Sequence, residues 1–461
     1  MSIPTVQNSK KDYILLLIYI NVALYATAFQ IQRPLEPFLV DKLVNNGSGD
    51  GGVGEYARLQ SFFSLIQTVG SLITGKFLDT FGAKFGFMIN FAACALSYGL
   101  LSQAYTLNML YLSKIPSIFM AGFLCAQTLA SQVTSDGADR VTALSRLTMA
   151  YTIGMILGPA IGGRLGASGD YYLGAKIAVV ASILSMILTL LLPSSMLDVE
   201  ATPTTSSTST PMTAGAKSED VDVVLIKTTK QQHGVYSIIQ AVWLLLGTKL
   251  ITSVANSMGQ NAYPIILKNG FNFNEKTLGD SMSIVSMFNA FFNGIFLGPI
   301  LKKLNWELST IICACVFLCF VFSALQAFFT YPLVSSSFSF SSGLHEYMGL
   351  SFLSTIFQYI LASSITAEST ARVHPSDKGT LLGMEHAVFA VARIPAPAAG
   401  IYLLQLQGGV KGGGIAVVSF VCAGIFFFVF FVLMFFRQNP LLLKTLAPHL
   451  ITKCASEEKD K

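Results

Sequence analysis

Charge is what this chain has least of. Only 11% of its 461 residues are charged, against roughly 25% in soluble domains. A soluble fold of this size could not cover its surface, so the bilayer is the solvent the composition demands. Histidine is also sparse. Its five copies (His233, His345, His374, His386, His449) are scattered, and only His386 lies well inside an apolar run. No nucleophile–base pair and no metal-ligand spacing emerges, so the chain reads as no enzyme, with no metal and no cofactor. Seven cysteines form no disulfide framework, and six of them sit in apolar runs where the thiol packs as a small apolar group. Cys313, Cys315 and Cys319 have no histidine or carboxylate in their run. The net charge of +5 is modest, and no basic stretch interleaved with aromatics points to nucleic acid. No cleavable signal pattern is present, because the first apolar run starts at Tyr13 and is long enough to span.

What is present in quantity is apolar sequence. A span takes about 20 mostly apolar residues. The pattern predicts twelve, near 13–35, 57–78, 84–103, 107–130, 142–165, 172–193, 237–265, 277–300, 308–330, 345–372, 379–404 and 413–436. The expected fold is an all-α membrane protein with two pseudo-symmetric six-helix bundles, 1–193 and 237–440, and a tail over 441–461. The stretch between, 194–236, is rich in Ser, Thr and Pro and cannot bury enough apolar surface to fold alone. It reads as a disordered linker.

Lysine and arginine set the orientation. With the N-terminus inside, inner segments gather Lys10, Lys11, Lys76, Lys84, Arg140, Arg146, Lys302, Lys303, Lys378 and Arg437, among others. The outer ends hold fewer, among them Arg33, Lys42, Arg58, Arg164 and Lys268. Both termini and the linker are therefore expected in the cytoplasm. The sequon Asn46-Gly47-Ser48 then falls in the first outer loop.

The halves repeat. Asp139-Arg140 precedes Pro159, and Asp377-Lys378 precedes Pro397, with an offset of 238 at both ends. Gln30 to Pro34 and Gln260 to Pro264 are both Gln-x-x-x-Pro. Internal repetition of this kind places a ligand site between the halves near mid-membrane.

Two stretches carry the sharpest signal. After the second span, Gly75, Asp79, Gly82 and Lys84 stand in Gly-Lys-Phe-Leu-Asp-Thr-Phe-Gly-Ala-Lys. The glycines allow a tight turn, and Asp79 suits a helix N-terminus. In the fifth span, Gly154, Gly158 and Gly162 share one face at spacing four. Such a face admits a close helix neighbour, and Pro159 is expected to kink the span. A charged hairpin and tight packing would be the plainer accounts of these two stretches. Gly70 to Lys76 imitates a phosphate-binding loop, but Phe77 stands where magnesium binding needs Ser or Thr.

The first stretch resembles motif A of the major facilitator superfamily, departing from it at Thr80 and Ala83, where that motif is basic. The second is similar to the antiporter motif of the same superfamily, matched in full over 154–163. The resemblance implies two bundles around a central cavity, alternating access, and exchange of a small organic solute for protons, with Gly75, Asp79, Gly82 and Lys84 gating. Lys114-Ile115-Pro116, Gly379-Thr380-Leu381-Leu382-Gly383 and Arg393 resemble the organic-cation-transporter-like branch of solute carrier family 22. A non-transporting receptor or scaffold on a transporter fold is the alternative. The expected partners are a small-molecule substrate, protons and the lipid bilayer, with no nucleic acid, and the protein is expected to be a monomer.

Ionisable residues within spans default to functional candidates. Lys249, Ser253, Asn256 and Gln260 make one polar stripe on the seventh span, and Asn21 with Tyr25 makes a shorter one on the first. Lys114 either binds substrate or snorkels. Glu385 and His386 are candidates for a proton relay. Lys114, Lys249 and Arg393 are basic, and no carboxylate is expected as deep. The residues therefore predict a substrate with a negative group, held by Arg393 with help from Lys249. Two arrangements would undo this: a deprotonated Lys249 acting in coupling, or Arg393 paired with Glu385.

An epitope inserted in 194–236 is expected to bind antibody only after cells are permeabilised. Labelling of intact cells would reverse the orientation.

Overall fold

The computed structural model describes residues 4–45, 52–134, 138–192, 235–292, 307–331, 340–373, 378–407 and 409–438. The linker and the tail expected at 194–236 and 441–461 fall almost wholly outside these, as do the sequon and Lys302 and Lys303. In the first half run α1 (Pro4–Ile31), α2 (Glu36–Asn45), α3 (Gly52–Phe81), α4 (Ala83–Ser102), α5 (Leu107–Lys114), α6 (Gly122–Val133), α7 (Ala138–Ala167) and α8 (Leu173–Leu190). The second half holds α9 (Val235–Ile265), α10 (Glu275–Phe291), α11 (Leu308–Thr330), α12 (Phe340–Ala371), α13 (Lys378–Ala392), α14 (Ala396–Gln405) and α15 (Ile415–Gln438). Ten segments among the described residues are long and apolar enough to cross a membrane. The other two expected spans are α3, with Glu55 and Arg58 near its start, and α10, described for 17 residues.

Side chains that face outward are apolar: Val180, Phe420 and Phe431 are all more than 60% exposed. This is the surface a lipid solvent permits. The ends of elements are capped in the ordinary way. Thr106 accepts from the Met109 amide and starts α5, and Asn274 accepts from the Thr277 amide and starts α10. Gly82 turns α3 into α4 at φ 80°, a conformation that glycine adopts without strain.

Prolines break three of the expected spans. The first ends at Ile31, turns through Pro34 and resumes as α2. The fourth divides at Pro116: a 3-10 turn, Ile115–Phe119, separates α5 from α6. Pro116 has no amide to offer the Leu112 carbonyl, and the Ile115 amide takes that acceptor instead. The eleventh divides between α13 and α14. Pro395 cannot donate to the Val391 carbonyl, which accepts from Ile394, and Pro397 opens α14. Pro159, by contrast, sits inside an uninterrupted α7. The repeat is therefore imperfect in structure: one proline is absorbed, and two close together break the helix.

The close neighbour of the glycine face of α7 is α1 of its own half. A Cβ on Gly154 would lie 2.4 Å from the Ala26 Cβ, and one on Gly162 would lie 2.1 Å from the Ile31 carbonyl oxygen. The neighbouring Gly163 makes the contact between halves. Its Cβ would lie 2.5 Å from the Glu275 carbonyl oxygen, beside Gly279 of α10.

Gly162→Leu is expected to lose at least the roughly 1–3 kcal/mol of an overpacked core, because the obstructing atom is backbone. Gly99→Ala, where nothing lies within 4 Å of the added Cβ, is the matched control and should hold or raise Tm. Equal Tm values for both variants would contradict the packing.

Candidate functional site

A cavity lies between the halves. From the end of α1 comes Gln30, from the turn after it Arg33, and from α7 Met155 and Pro159. The second half lines the rest, including Asn256, Gln260, Tyr263, Met282, Gln358, Tyr359 and Phe426. Its empty space, open mouth included, is roughly 1220 Å³. Asn256 and Gln260 of the expected stripe do line it, and Gln260 donates to Asn256 at 2.9 Å. Ser253 is buried instead.

The expected cavity residues of α1 lie elsewhere. Asn21 donates to Thr189 of α8 at 3.4 Å. Tyr25 packs edge-on to Phe91 and reaches the Met120 carbonyl at 3.5 Å. Both belong to the interior of the first half. Gln30 at the end of α1 and Arg33 in the turn after it are what the first span offers the cavity. Arg33 is missed when the sequence alone is read, because it sits at the end of a span and counts as a loop charge.

The three basic candidates separate. Lys114 bonds Glu36 of α2, whose other oxygen accepts from Gln60 at 2.6 Å. The Lys114 ammonium also lies 5.3 Å from the centre of the Phe63 ring. It is 12% exposed, so it neither snorkels nor reaches the cavity. Glu36 lies one residue beyond the expected first span, so the sequence alone offers Lys114 no carboxylate at its depth. Lys249 donates to Glu385 at 2.5 Å and to Thr366 at 2.9 Å, and Thr366 donates to the same carboxylate oxygen at 2.6 Å. Glu385, 2% exposed, therefore pairs with Lys249 rather than Arg393, and it stands deeper than the sequence suggested. His386 follows it on α13 and is exposed. Arg393 occupies the turn between α13 and α14, its guanidinium 5.8 Å from the Phe389 ring.

Of the motif A positions, Gly75 and Asp79 fall near the end of α3, and Lys84 donates to the Leu192 carbonyl at the end of α8. Lys11 bonds Asp139 at 2.5 Å between the starts of α1 and α7. These contacts tie the first half together at the end where the chain begins.

Contacts between the halves gather at the opposite end. Lys268 bonds Asp41 and the Pro37 carbonyl. Arg164 bonds Asp280 at 2.6 Å, and Tyr171 donates to Glu275 at 2.7 Å. Burial and the bond to Glu275 both raise the Tyr171 phenol above its ordinary value, so it stays a donor. Asp170 beside it is lowered, chiefly by the Tyr172 amide, and fixes the loop into α8. Nearer the middle, Thr68 of α3 donates at 3.2 Å to the Ala390 carbonyl, beside the break in the eleventh span. Together these seal the end of the cavity where α1 meets α2 and α9 meets α10.

The family model for the Major Facilitator Superfamily matches residues 16–345. Solute carrier family 22 member 18 of Mus musculus is 24% identical over 404 residues, covering 86% of this chain and 90% of its own. Tetracycline resistance protein, class H, of Pasteurella multocida is 24% identical over 296 residues, 63% of this chain and 67% of its own. Among solved structures, the peptide transporter POT in complex with sulfate superposes with a TM-score of 0.69 at 13% identity, covering 94% of this chain and 95% of that one. The human organic anion transporter MFSD10 gives 0.58 at 16% identity, over 92% of this chain and 99% of that one. These likenesses establish the two-bundle fold with twelve spans.

Neutralising the seal with Lys268→Gln and Arg164→Gln together is expected to open that end. A coupling of about 1–3 kcal/mol corresponds to a roughly five- to 150-fold shift in the balance of states. The readout is maleimide labelling, from that side, of a cysteine placed at Gln260. An unchanged labelling rate would show that these pairs do not hold the end shut.

Proposed function

The chain belongs to the major facilitator superfamily, and from that premise we propose that it is a secondary active transporter moving a small organic solute by alternating access, driven by protons. The observation that carries the reading is a cavity lined from both halves and closed at one end by polar contacts between them. Such contacts differ between the two states of a rocking carrier and so can bias them. With the termini in the cytoplasm, the sealed end faces away from it, and the described state is the one that loads or unloads inside.

The coupling role falls to Lys249, Glu385 and Thr366. A buried carboxylate held by one ammonium has two clean states. Ionised, it keeps α9, α12 and α13 together; protonated, it releases Lys249. His386, adjacent on α13, is the imidazole donor or acceptor nearest in sequence. Each unit of pH gradient supplies about 1.4 kcal/mol per proton moved.

Purified protein in liposomes, screened with labelled organic anions and cations under an imposed pH gradient, is expected to accumulate one class above equilibrium. Glu385→Gln should keep downhill exchange of that solute and lose the gradient dependence. No movement of any solute in the intact protein would favour the receptor or scaffold reading. An intact pH response in the variant would remove Glu385 from coupling.

A further inference from the structure

The carboxylates of Glu36, Glu385 and Asp41 are each met within the chain, by Lys114 and Gln60, by Lys249 and Thr366, and by Lys268. Arg33 departs from this pattern. It is half-buried, it lines the cavity, and its guanidinium makes no hydrogen bond or ion pair with a described residue. Gln30, about one turn before it, lines the cavity too. It is 4% exposed, and its side-chain amide makes no hydrogen bond with a described residue. The Arg33 backbone amide donates to the Gln30 carbonyl at 3.2 Å, so the turn keeps the two positions together. A guanidinium and a primary amide therefore share one wall, and no acidic residue stands among the described residues of the lining. Half-buried charge without a counter-charge is unfavourable. An oxyanion satisfies both groups, through the N–H fork of the guanidinium and the N–H of the amide.

The wall from the second half has the opposite hydrogen-bonding sense. Gln326 of α11 lines the cavity and donates through Nε2 to Ser351 Oγ at 2.6 Å and to the Tyr347 carbonyl at 3.4 Å, both on α12. A carbonyl only accepts, so this contact fixes which end of the amide is which, and Oε1 is the end left for the cavity. Gln358, also in the lining, is held alike, with Nε2 on Ser354 Oγ at 3.0 Å. The second half thus offers acceptors where the first offers donors. Tyr263, Phe352 and Phe426 add flat apolar surface to the lining.

We infer that the cavity binds an aromatic organic anion with a hydrogen-bond donor on its body: the oxyanion head meets Arg33 and Gln30, and the N–H or O–H of the body meets the side-chain carbonyl of Gln326. The inference names the solute class for the transport reading and rests on it for movement only, since binding stands without transport. It keeps the negative group expected from the sequence and moves it from Arg393 and Lys249, which are not among the lining residues, to Arg33. Arg33 and Gln326 belong to opposite halves, so one molecule touches both. Its binding favours the state in which the two walls face the same cavity.

The test uses four molecules of one shape: indole-3-acetate, 1-methylindole-3-acetate, indole-3-acetamide and tryptamine. Purified protein in phosphatidylcholine nanodiscs is titrated with each, and stabilisation is read as Tm. Indole-3-acetate is expected to bind best, the N-methyl acid roughly three- to tenfold more weakly for want of one neutral hydrogen bond. The amide and the amine should leave Tm unchanged over the same range. Arg33→Gln should weaken binding of both acids roughly ten- to hundredfold, the range of a hydrogen bond to a charged group. Arg33→Lys, which keeps the charge without the fork, should fall between. Gln30→Met should weaken both acids alike, whereas Gln326→Met should abolish the preference for the acid with a free N–H. Arg58→Gln, at an exposed site outside the lining, should change nothing. Without ligand, Arg33→Gln should match the wild-type Tm, since no bond is lost; a lower Tm would show that Arg33 holds the fold and overturn the site. Equal response to acid, amide and amine, a preference for the amine, or no response to any overturns it as well. A Gln326→Met variant that keeps the preference overturns the contact to the body. Loss of the acid response in discs containing phosphatidylglycerol would assign the oxyanion to a lipid headgroup and overturn the soluble ligand. Uptake of labelled compounds into liposomes separates this inference from the transport reading. Binding of the acid with no uptake of any solute defeats transport and keeps the site, while uptake of tryptamine alone keeps transport and defeats the site.

Discussion

Burying charge in a medium of low dielectric is costly unless an opposite charge accompanies it, and that constraint organises this molecule. The pairs Lys114–Glu36, Lys249–Glu385 and Lys268–Asp41 each join elements that are distant in sequence. Removing one partner strands the other, which typically costs about 3–5 kcal/mol. Their placement divides the labour. Lys114–Glu36 holds the first half at the break between α5 and α6. Lys249–Glu385 joins α9 to α13 within the second half. Lys268–Asp41 crosses between halves, and it is the kind of contact that must part if the sealed end opens.

Against that background an unmatched charge is informative. Arg33 lines the cavity, and its guanidinium has no hydrogen bond or ion pair to a described residue. A structural role would have supplied a carboxylate or a set of carbonyls. The cation preference suggested by the family branch has no carboxylate in the cavity lining to recognise it.

Helix breaks and glycines do the positioning. At Arg393 the backbone leaves the helix because Pro395 and Pro397 withdraw two donors, and the Ala390 carbonyl is satisfied partly from the other half by Thr68. Irregular backbone at membrane depth survives where protein or a cavity, rather than lipid, surrounds it. Glycines let backbones close in where side chains would keep them apart. Gly154, Gly158 and Gly162 seat α7 on α1, and Gly163 with Gly279 lets α7 touch α10. The first contact makes the half rigid and the second forms part of the seam.

Composition and run length determined the membrane class, because a span is a one-dimensional property of about 20 residues, and the contiguous motif over 154–163 carried the resemblance to the family and its two-bundle plan. The same local logic revealed the polar stripe on α9, of which Asn256 and Gln260 do line the cavity. It could not reveal partners. Glu36 for Lys114 and Glu385 for Lys249 lie 78 and 136 residues away. It could not tell that Asn21 and Tyr25 point into their own bundle, since a helix has an inner and a lateral polar face with the same periodicity. Nor could it separate Pro159, absorbed in α7, from Pro395 and Pro397, which together end α13. Which basic residues are neutralised and which are left for a ligand is a property of pairs across the fold. Only the tertiary structure decides it, because electrostatic matching depends on distance in space and not on distance along the chain.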